Sequence, residues 1–135
     1  MVNKFYYCEV CGNVLVAVVP SGVDPVCCDV PMVELVPNTE DGVIESHMPV
    51  VTCKEKDVVV VRIGSKDHPM VDDHYICFVA VETKRGISIK YLEPGEEPEA
   101  RFCCIEEPVA VYAYCNKHGF WKKCCAKSSC NKQNL

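Results

Sequence analysis

The sequence predicts an all-β protein in which a small metal-binding module precedes a β-sandwich. Its apolar residues form short runs rich in valine and aromatic residues, separated by turn-forming segments, which is typical of the strands of a sandwich. The 9 prolines are scattered among these runs and oppose long helices. The chain also has 12 cysteines in 135 residues, some of them with the spacing of metal ligands.

The strand candidates follow one another along the chain with turn signals between them. In order, they are NVLVAVV (13–19), DVVVVRI (57–63), HYICFVAVE (74–82), GISIKYL (86–92) and VAVYAYC (109–115). The turn signals are NTEDG (38–42), TKRG (83–86) and EPGEEPE (93–99). The run DVVVVRI fits a strand buried on both faces as well as one with alternating exposure, and its periodicity does not decide between them.

A polar, turn-rich segment at residues 36–42, VPNTEDG, predicts a domain boundary. Residues 1–36 are too few to bury a stable core, so this module should need a metal or a disulfide for stability. Residues 37–123 are long enough to form the sandwich. The last segment, 124–135, is rich in lysine and cysteine and has no apolar periodicity, so it is predicted to be mobile.

Charge and hydropathy exclude several classes of protein. The net charge of -5 argues against a nucleic-acid partner, because phosphate binding needs a positive surface. No apolar run approaches the roughly 20 residues of a membrane span, and the first ten residues, MVNKFYYCEV, lack a secretory apolar stretch. We therefore expect a cytoplasmic protein, in which some of the cysteines bind metal rather than form disulfides.

The first group of candidate ligands lies in the N-terminal module. Cys8 and Cys11 form a C-x2-C motif followed by Gly12, and Cys27 and Cys28 are adjacent. The glycine allows a positive φ, which lets backbone amides point at sulfur. Four thiolates in this short span suit a tetrahedral ion, and the ligands alone leave zinc and iron equally open.

The second group contains all four histidines of the chain. His68 and His74 flank a proline-containing turn, His118 and Cys115 flank another turn at a strand end, and His47 follows the domain boundary. Loops held by a β scaffold often carry metal sites. A lone histidine is more often an ordinary surface or core residue, and the residues alone leave both interpretations open.

Seven separated motifs follow one another along the chain, namely FYYCEVCGN, VCC followed by PM, ESHMPV, GSKDHPM, DDHYI, LEPGEEPEARF and YCNKHGFW. They resemble those of desulfoferrodoxins, the two-domain, two-iron type of superoxide reductase. They agree in order and spacing from Phe5 to Trp121. The resemblance implies a desulforedoxin-like first module (1–36) and an immunoglobulin-like superoxide-reductase sandwich (37–123).

The resemblance also implies two iron sites and a role for each ligand. Four thiolates would hold the first iron, namely Cys8, Cys11, Cys27 and Cys28. Four imidazoles would form a square plane around the second iron, namely His47, His68, His74 and His118. Cys115 would be the axial ligand of the second iron, and Glu45 would be its sixth ligand in the ferric state.

The implied activity is the one-electron reduction of superoxide to hydrogen peroxide, with a rubredoxin-like electron donor and a homodimeric assembly. Ser46 departs from the family's common Glu-Lys-His motif, in which the lysine guides the anion by its charge. Lys66 and Lys117 are candidates to compensate. Two alternatives stay open: an electron-transfer protein with a poor second site, and a structural protein with zinc in both sites.

The remaining cysteines are interpreted without a function. Cys53, Cys77, Cys103 and Cys104 lie in strand-like runs and are interpreted as small buried hydrophobes or idle thiols. Cys124, Cys125 and Cys130 lie in the lysine-rich tail and are also interpreted as idle. Tyr114 and Trp121, beside the last motif, are interpreted as packing residues.

Overall fold

The structure is a computed structural model that describes residues 4–38, 47–55, 57–64, 68–103 and 106–125, except for the side chains of 53 and 54. Every regular element in these ranges is a β-strand, which confirms the predicted all-β class. Within the same ranges we find no helix of the length and hydropathy that a membrane crossing requires. The chain divides into two compact units, Met1–Val36 and Pro37–Leu135.

The first unit is a small antiparallel β structure. Its main sheet has the order β2-β1-β5, and its second element is a two-stranded hairpin of β3 and β4. The strands are β1 (Lys4–Tyr7), β2 (Val14–Ala17), β3 (Val26–Cys27), β4 (Val30–Pro31) and β5 (Val33–Glu34). Its core cluster consists of Tyr6, Cys8 and Met32, which is too little apolar burial to stabilise a module of this length alone.

The β3–β4 hairpin turns through two residues in an unusual conformation. Cys27 pairs with Val30, and the two turn residues between them, Cys28 and Asp29, have φ values of 53° and 63°. This is the pattern of a type I′ turn, which usually has Asn-Gly because both central residues need a positive φ. A cysteine there indicates that something else about its position compensates for the strain.

The second unit is a sandwich of two antiparallel sheets. One sheet has the order β10-β7-β6 and the other has the order β12-β11-β8-β9. The strands are β6 (Pro49–Glu55), β7 (Val58–Ile63), β8 (Ile76–Thr83), β9 (Gly86–Tyr91), β10 (Glu99–Cys103), β11 (Ala110–Cys115) and β12 (Gly119–Cys124).

This strand arrangement is that of an immunoglobulin-like sandwich. In immunoglobulin lettering, β6, β7 and β10 correspond to strands A, B and E and form one sheet. Strands β8, β11 and β12 correspond to C, F and G and lie in the other sheet, as in immunoglobulin domains. The fourth strand, β9, pairs with β8 at the edge of the second sheet, in the place of strand C′. The predicted immunoglobulin-like fold is therefore confirmed.

The core lies between the two sheets and explains the valine-rich runs. Alternate residues of β7 are buried, namely Val59, Val61 and Ile63. The run DVVVVRI is therefore a strand with one buried face. By contrast, β8 is buried on both faces, since Val79 joins the core cluster while Ala80, on the opposite face, is also fully buried.

One cysteine near the end of the described chain corrects the sequence interpretation. Cys124 ends β12 and is disulfide-bonded, so its interpretation as an idle thiol is wrong. Cys125 is exposed, and its backbone N–H donates to Val109 O at 3.0 Å. Cys77 and Cys103 are free thiols. The expectations for Cys104, Cys130, the Cys53 side chain and the tail from 126 onward lie outside the described residues.

Candidate metal centres

One end of the sandwich gathers the four histidines and Cys115. His47 lies two residues before the start of β6, His68 and His74 lie between β7 and β8, and Cys115 and His118 lie at the turn from β11 to β12. Within each sheet the neighbouring strands are antiparallel, so the start of one strand lies beside the end of the next. The strand ends that carry these five residues therefore lie at the same end of each sheet. One potential ligand atom from each of the five residues lies within 4.8 Å of the others.

The four imidazoles form a closed ring of edge contacts. The centroid distances are 4.7 Å from His47 to His68, 4.8 Å from His68 to His74, 5.0 Å from His74 to His118, and 4.7 Å from His118 to His47. Neighbouring rings are inclined by 64° to 80°. Four nearly equal sides give a roughly square arrangement, as expected for four imidazoles around one ion.

Hydrogen-bond geometry indicates which ring nitrogens face the centre of this square. His68 Nδ1 donates to Pro69 O at 2.7 Å, which leaves Nε2 as the ligand nitrogen of His68. His47 Nε2 lies 2.9 Å from His118 Nδ1. Adjacent nitrogens at about 2.1 Å from one metal would be separated by about 3.0 Å. Cys115 Sγ lies 3.9 Å from His118 Nδ1, which places the sulfur next to the square.

Burial differs across the site. His47 and Cys115 are fully buried and His68 is 3% exposed, whereas His74 is half-buried and His118 is exposed. Cys115 belongs to the hydrophobic core cluster between the sheets. The sulfur is therefore protected from water, while the imidazole side of the group is open to a small solute at His118.

Trp121 supports two of the proposed ligands. Its indole stacks on the His47 imidazole with a centroid distance of 4.7 Å and an interplanar angle of 11°. Its Nε1–H donates to His118 O at 3.1 Å. Trp121 is a packing residue, as the sequence indicated, and the residue on which it packs, His47, is one of the candidate metal ligands.

Backbone hydrogen bonds fix the loops that carry the histidines. Val71 and His74 exchange two backbone hydrogen bonds, each 3.0 Å long, which close the loop after His68. The Gly64 N–H donates to Met48 O at 3.0 Å and ties the end of β7 to the residue after His47. These backbone bonds restrain the segments that carry the histidines, which favours a preorganised site.

The first unit brings its four cysteines together in a second group. Cys8, Cys11, Cys27 and Cys28 place their sulfurs within 4.8 Å of one another. The Cys11–Cys27 and Cys27–Cys28 sulfur distances are 3.5 and 3.9 Å. Metal–sulfur bonds of about 2.3 Å in a tetrahedron give edges of about 3.8 Å, so these thiols fit one ion. The need to reach that ion explains the strained φ of Cys28 in the hairpin turn.

The turn after Cys8 directs hydrogen bonds at sulfur, as predicted from Gly12. Gly12 has a φ of 84°, and the Cys11 N–H donates to Cys8 Sγ at 3.5 Å. This backbone N–H lowers the pKa of the Cys8 thiol to about 6. The sulfur of Cys11 and its neighbours raise the pKa of Cys28 to about 12. Complete deprotonation of the group therefore requires a cation among the sulfurs.

Comparison with known proteins identifies the family. The family model described as Desulfoferrodoxin matches residues 39–124. The chain belongs to the desulfoferrodoxin family. It is 39% identical over 118 residues to a desulfoferrodoxin of Syntrophotalea carbinolica, covering 87% of this chain and 93% of that one. It is also 39% identical over 121 residues to a desulfoferrodoxin homolog of Archaeoglobus fulgidus, covering 90% and 96%.

A solved structure extends the similarity to nearly the whole chain. The superoxide reductase from Treponema pallidum matches with a TM-score of 0.78 and 28% identity, covering 90% of this chain and 98% of that one. Together with family membership, the two ligand groups fit the two iron sites of desulfoferrodoxin-type proteins. The expectations for Glu45, Ser46 and Lys66 lie outside the described residues.

Proposed function

We propose that this chain is a superoxide reductase, which reduces superoxide to hydrogen peroxide at the second centre. The observation that carries the proposal is the square of four imidazoles with Cys115 beside it, in a chain of the desulfoferrodoxin family. The catalytic residues would be His47, His68, His74, Cys115 and His118, with Glu45 as the sixth ligand in the oxidised state.

The ligand set has the charge that this substrate requires. Ferrous iron bound there would supply the single electron in the balanced reaction, superoxide plus one electron and two protons giving hydrogen peroxide. Four neutral imidazoles and one thiolate would leave a ferrous site with a charge near +1, which attracts an anion. The five residues would hold the iron, and superoxide would bind to it from the side that they leave uncovered.

The residues of the chain divide the remaining tasks. Cys115, buried at the end of the core, would donate electron density as thiolate ligands do in haem enzymes. Because water is excluded from its sulfur, the thiolate keeps this donating power. The exposed His118 and the half-buried His74 leave solvent close to the imidazole side, where it can supply both protons.

The first centre would carry electrons, and a rubredoxin-like protein would be the donor. Cys11 and Cys28 are exposed, which gives a partner close access to the thiolate group. We also propose a homodimer, because the first unit exposes several valines that a monomer would leave in water, namely Val10, Val18, Val19, Val23, Val26 and Val36. Sedimentation of the iron-loaded protein tests the dimer.

A cytoplasmic location is part of the same proposal. Although Cys124 is disulfide-bonded, Cys77 and Cys103 are free thiols outside both ligand groups, which supports a reducing compartment. Fractionation of the source cells, followed by detection of the protein in each fraction, tests this location.

The reaction is tested by its stoichiometry. The fully reduced protein with two irons per chain should convert each superoxide to one hydrogen peroxide and release no dioxygen. Superoxide generated by pulse radiolysis is followed optically, and peroxide and dioxygen are measured at the end. The zinc-loaded protein is the control and should leave superoxide to decay at the rate of the buffer.

Other outcomes of this experiment identify the alternatives. Half a peroxide per superoxide, with dioxygen released, would mean dismutation. If the two-iron protein behaves like the zinc-loaded control, the chain is an electron-transfer or structural protein and the proposal is wrong.

Of the two lysines that could compensate for Ser46, Lys117 lies within the described residues. It is adjacent to His118, its side chain is 51% exposed, and its Nζ lies 3.9 Å from Asp73 Oδ2. We expect Lys117→Ala to slow the reaction with superoxide about threefold at low ionic strength, because a positive charge beside the site attracts the anion. Above about 0.1 M salt the difference should shrink, since the Debye length falls to about 10 Å.

The matched control is Lys84→Ala, which removes the same charge from the exposed turn between β8 and β9. That turn lies at the end of β8 opposite to the histidines. Equal effects of the two substitutions at every salt concentration would show that Lys117 has no local role.

A further inference from the structure

Asn116 lies between Cys115 and His118 in the turn from β11 to β12, and it makes three hydrogen bonds to the segment that carries His74. Its side-chain Oδ1 accepts from the Tyr75 N–H at 2.9 Å, and its Nδ2 donates to Asp73 O at 3.1 Å. Its own backbone N–H donates to Tyr75 O at 3.2 Å. The bonds therefore reach the residues on both sides of His74.

The side-chain amide of Asn116 acts here as a substitute for a peptide group. The ladder between β11 and β8 is regular up to Tyr114, where the register shifts, and Cys115 then pairs with Ile76. Beyond this irregularity, the Asn116 amide offers one acceptor and one donor to the backbone of Asp73 and Tyr75, just before β8. A further residue of a paired strand would offer the same two groups. The connection between the two ligand-bearing segments thus continues past the end of the sheet.

The surroundings of His74 make this connection important. The bonds that Val71 and His74 exchange lie within one loop, so they set the shape of that loop without anchoring it to the turn that carries Cys115 and His118. The Asn116 amide joins the two segments directly. All three ligands involved lie within the same group of potential metal ligands.

We propose that Asn116 is a positioning residue that holds His74 against the Cys115–His118 turn and thereby determines how firmly the second centre retains its metal. Asn116 contacts neither the metal nor the substrate in this proposal; it acts through the backbone of Asp73 and Tyr75. The proposal rests on metal binding at this centre and does not depend on superoxide being the substrate.

The test compares metal retention by the two centres of one chain. In Asn116→Ala, a ferrous chelator should remove iron from the histidine–cysteine centre about 10- to 100-fold faster than in the parent, the range typical of residues that orient metal ligands. Release from the four-cysteine centre should be unchanged. The two irons are distinguished by their visible bands in the oxidised protein.

A second readout separates positioning from general stability. The electron paramagnetic resonance signal of the ferric histidine–cysteine centre should change in fully loaded Asn116→Ala, because the orientation of His74 changes. Asn116→Asp keeps the acceptor for the Tyr75 N–H but loses the donor to Asp73 O, so its retention should be intermediate. This conservative variant also keeps the proposal testable if Asn116→Ala fails to fold.

Asn38→Ala is the matched control, since Asn38 Nδ2 also donates to a backbone carbonyl, that of Phe120, at 3.2 Å. Two results would overturn the proposal: retention and resonance signal in both Asn116 variants equal to those of Asn38→Ala, or equally accelerated loss of both irons. Because neither readout involves turnover, the result does not depend on whether the superoxide test succeeds.

Discussion

Replacing Cys115 by serine is expected to reduce the rate of superoxide reduction by at least about a hundredfold, an increase of about 2.7 kcal/mol in the activation free energy. Cys115 ends β11, is fully buried and belongs to the core cluster. Serine fits the same space but offers a neutral hydroxyl, which donates far less electron density than a thiolate. The measurement is the superoxide decay rate of reduced, iron-loaded protein after pulse radiolysis.

The control for this prediction is Cys77→Ser. Cys77 lies next to Ile76, the β8 residue that pairs with Cys115, and it is a half-buried free thiol outside both ligand groups. Its substitution should leave the rate within about twofold of the parent, since substitutions away from named functional features have small effects. If Cys115→Ser, loaded with two irons, reduces superoxide as fast as Cys77→Ser, then Cys115 is not the ligand that drives the reaction.

The all-β fold could be predicted largely because the composition of the apolar runs and the turn-forming segments between them both indicate strands. Valine-rich runs between turns indicated strands, and β7 shows why the number of buried faces stayed open. Its residues 58–61 are all valine, so the sequence contains no alternation, although Val59 and Val61 are buried while Val58 and Val60 are partly exposed. Which face of a strand packs into the core depends on how the sheets pair, and this pairing cannot be predicted from the sequence of one strand.

The candidate sites were predictable at the level of ligand type, and less so at the level of geometry. The spacing of Cys8 and Cys11 points to one ion because both lie on a single turn. The order of imidazoles around the square depends instead on how separate strand ends meet. Neither the contact of Trp121 with His47 nor the link from Asn116 to Asp73 leaves a signal in the sequence, because each joins segments distant along the chain.

The cysteines show the limit of interpretation from composition. The adjacent pair Cys27–Cys28 turned out to lie in a ligand group, whereas Cys124 of the adjacent pair Cys124–Cys125 is disulfide-bonded. The first pair lies in a hairpin turn that directs both sulfurs to one point. The second begins at the last residue of a strand. The same dipeptide therefore had different chemistry, decided by the backbone around it.

Removing the metal from the four-cysteine centre is expected to unfold residues 4–36 while the sandwich remains folded. In the described part of the first unit, the core cluster has three buried residues, Tyr6, Cys8 and Met32, and a structural metal in such a small module contributes about 10–16 kcal/mol. The sandwich has its own core between two sheets. Backbone amide exchange should lose protection in β1, β2 and β5 on chelation, while the core strands β7, β8 and β11 keep theirs.

The single tryptophan of the chain offers an independent check, because Trp121 lies in the sandwich and its fluorescence should not report unfolding of the first unit. Cys11→Ser should reproduce the loss of protection, since it removes one of four thiolates whose mutual repulsion only a cation relieves. Cys103→Ser, which changes an exposed free thiol outside both groups, should have no effect. Protected amides in β1 of the metal-free protein would show instead that apolar packing alone holds the first unit together, and that its metal is bound by a scaffold already folded.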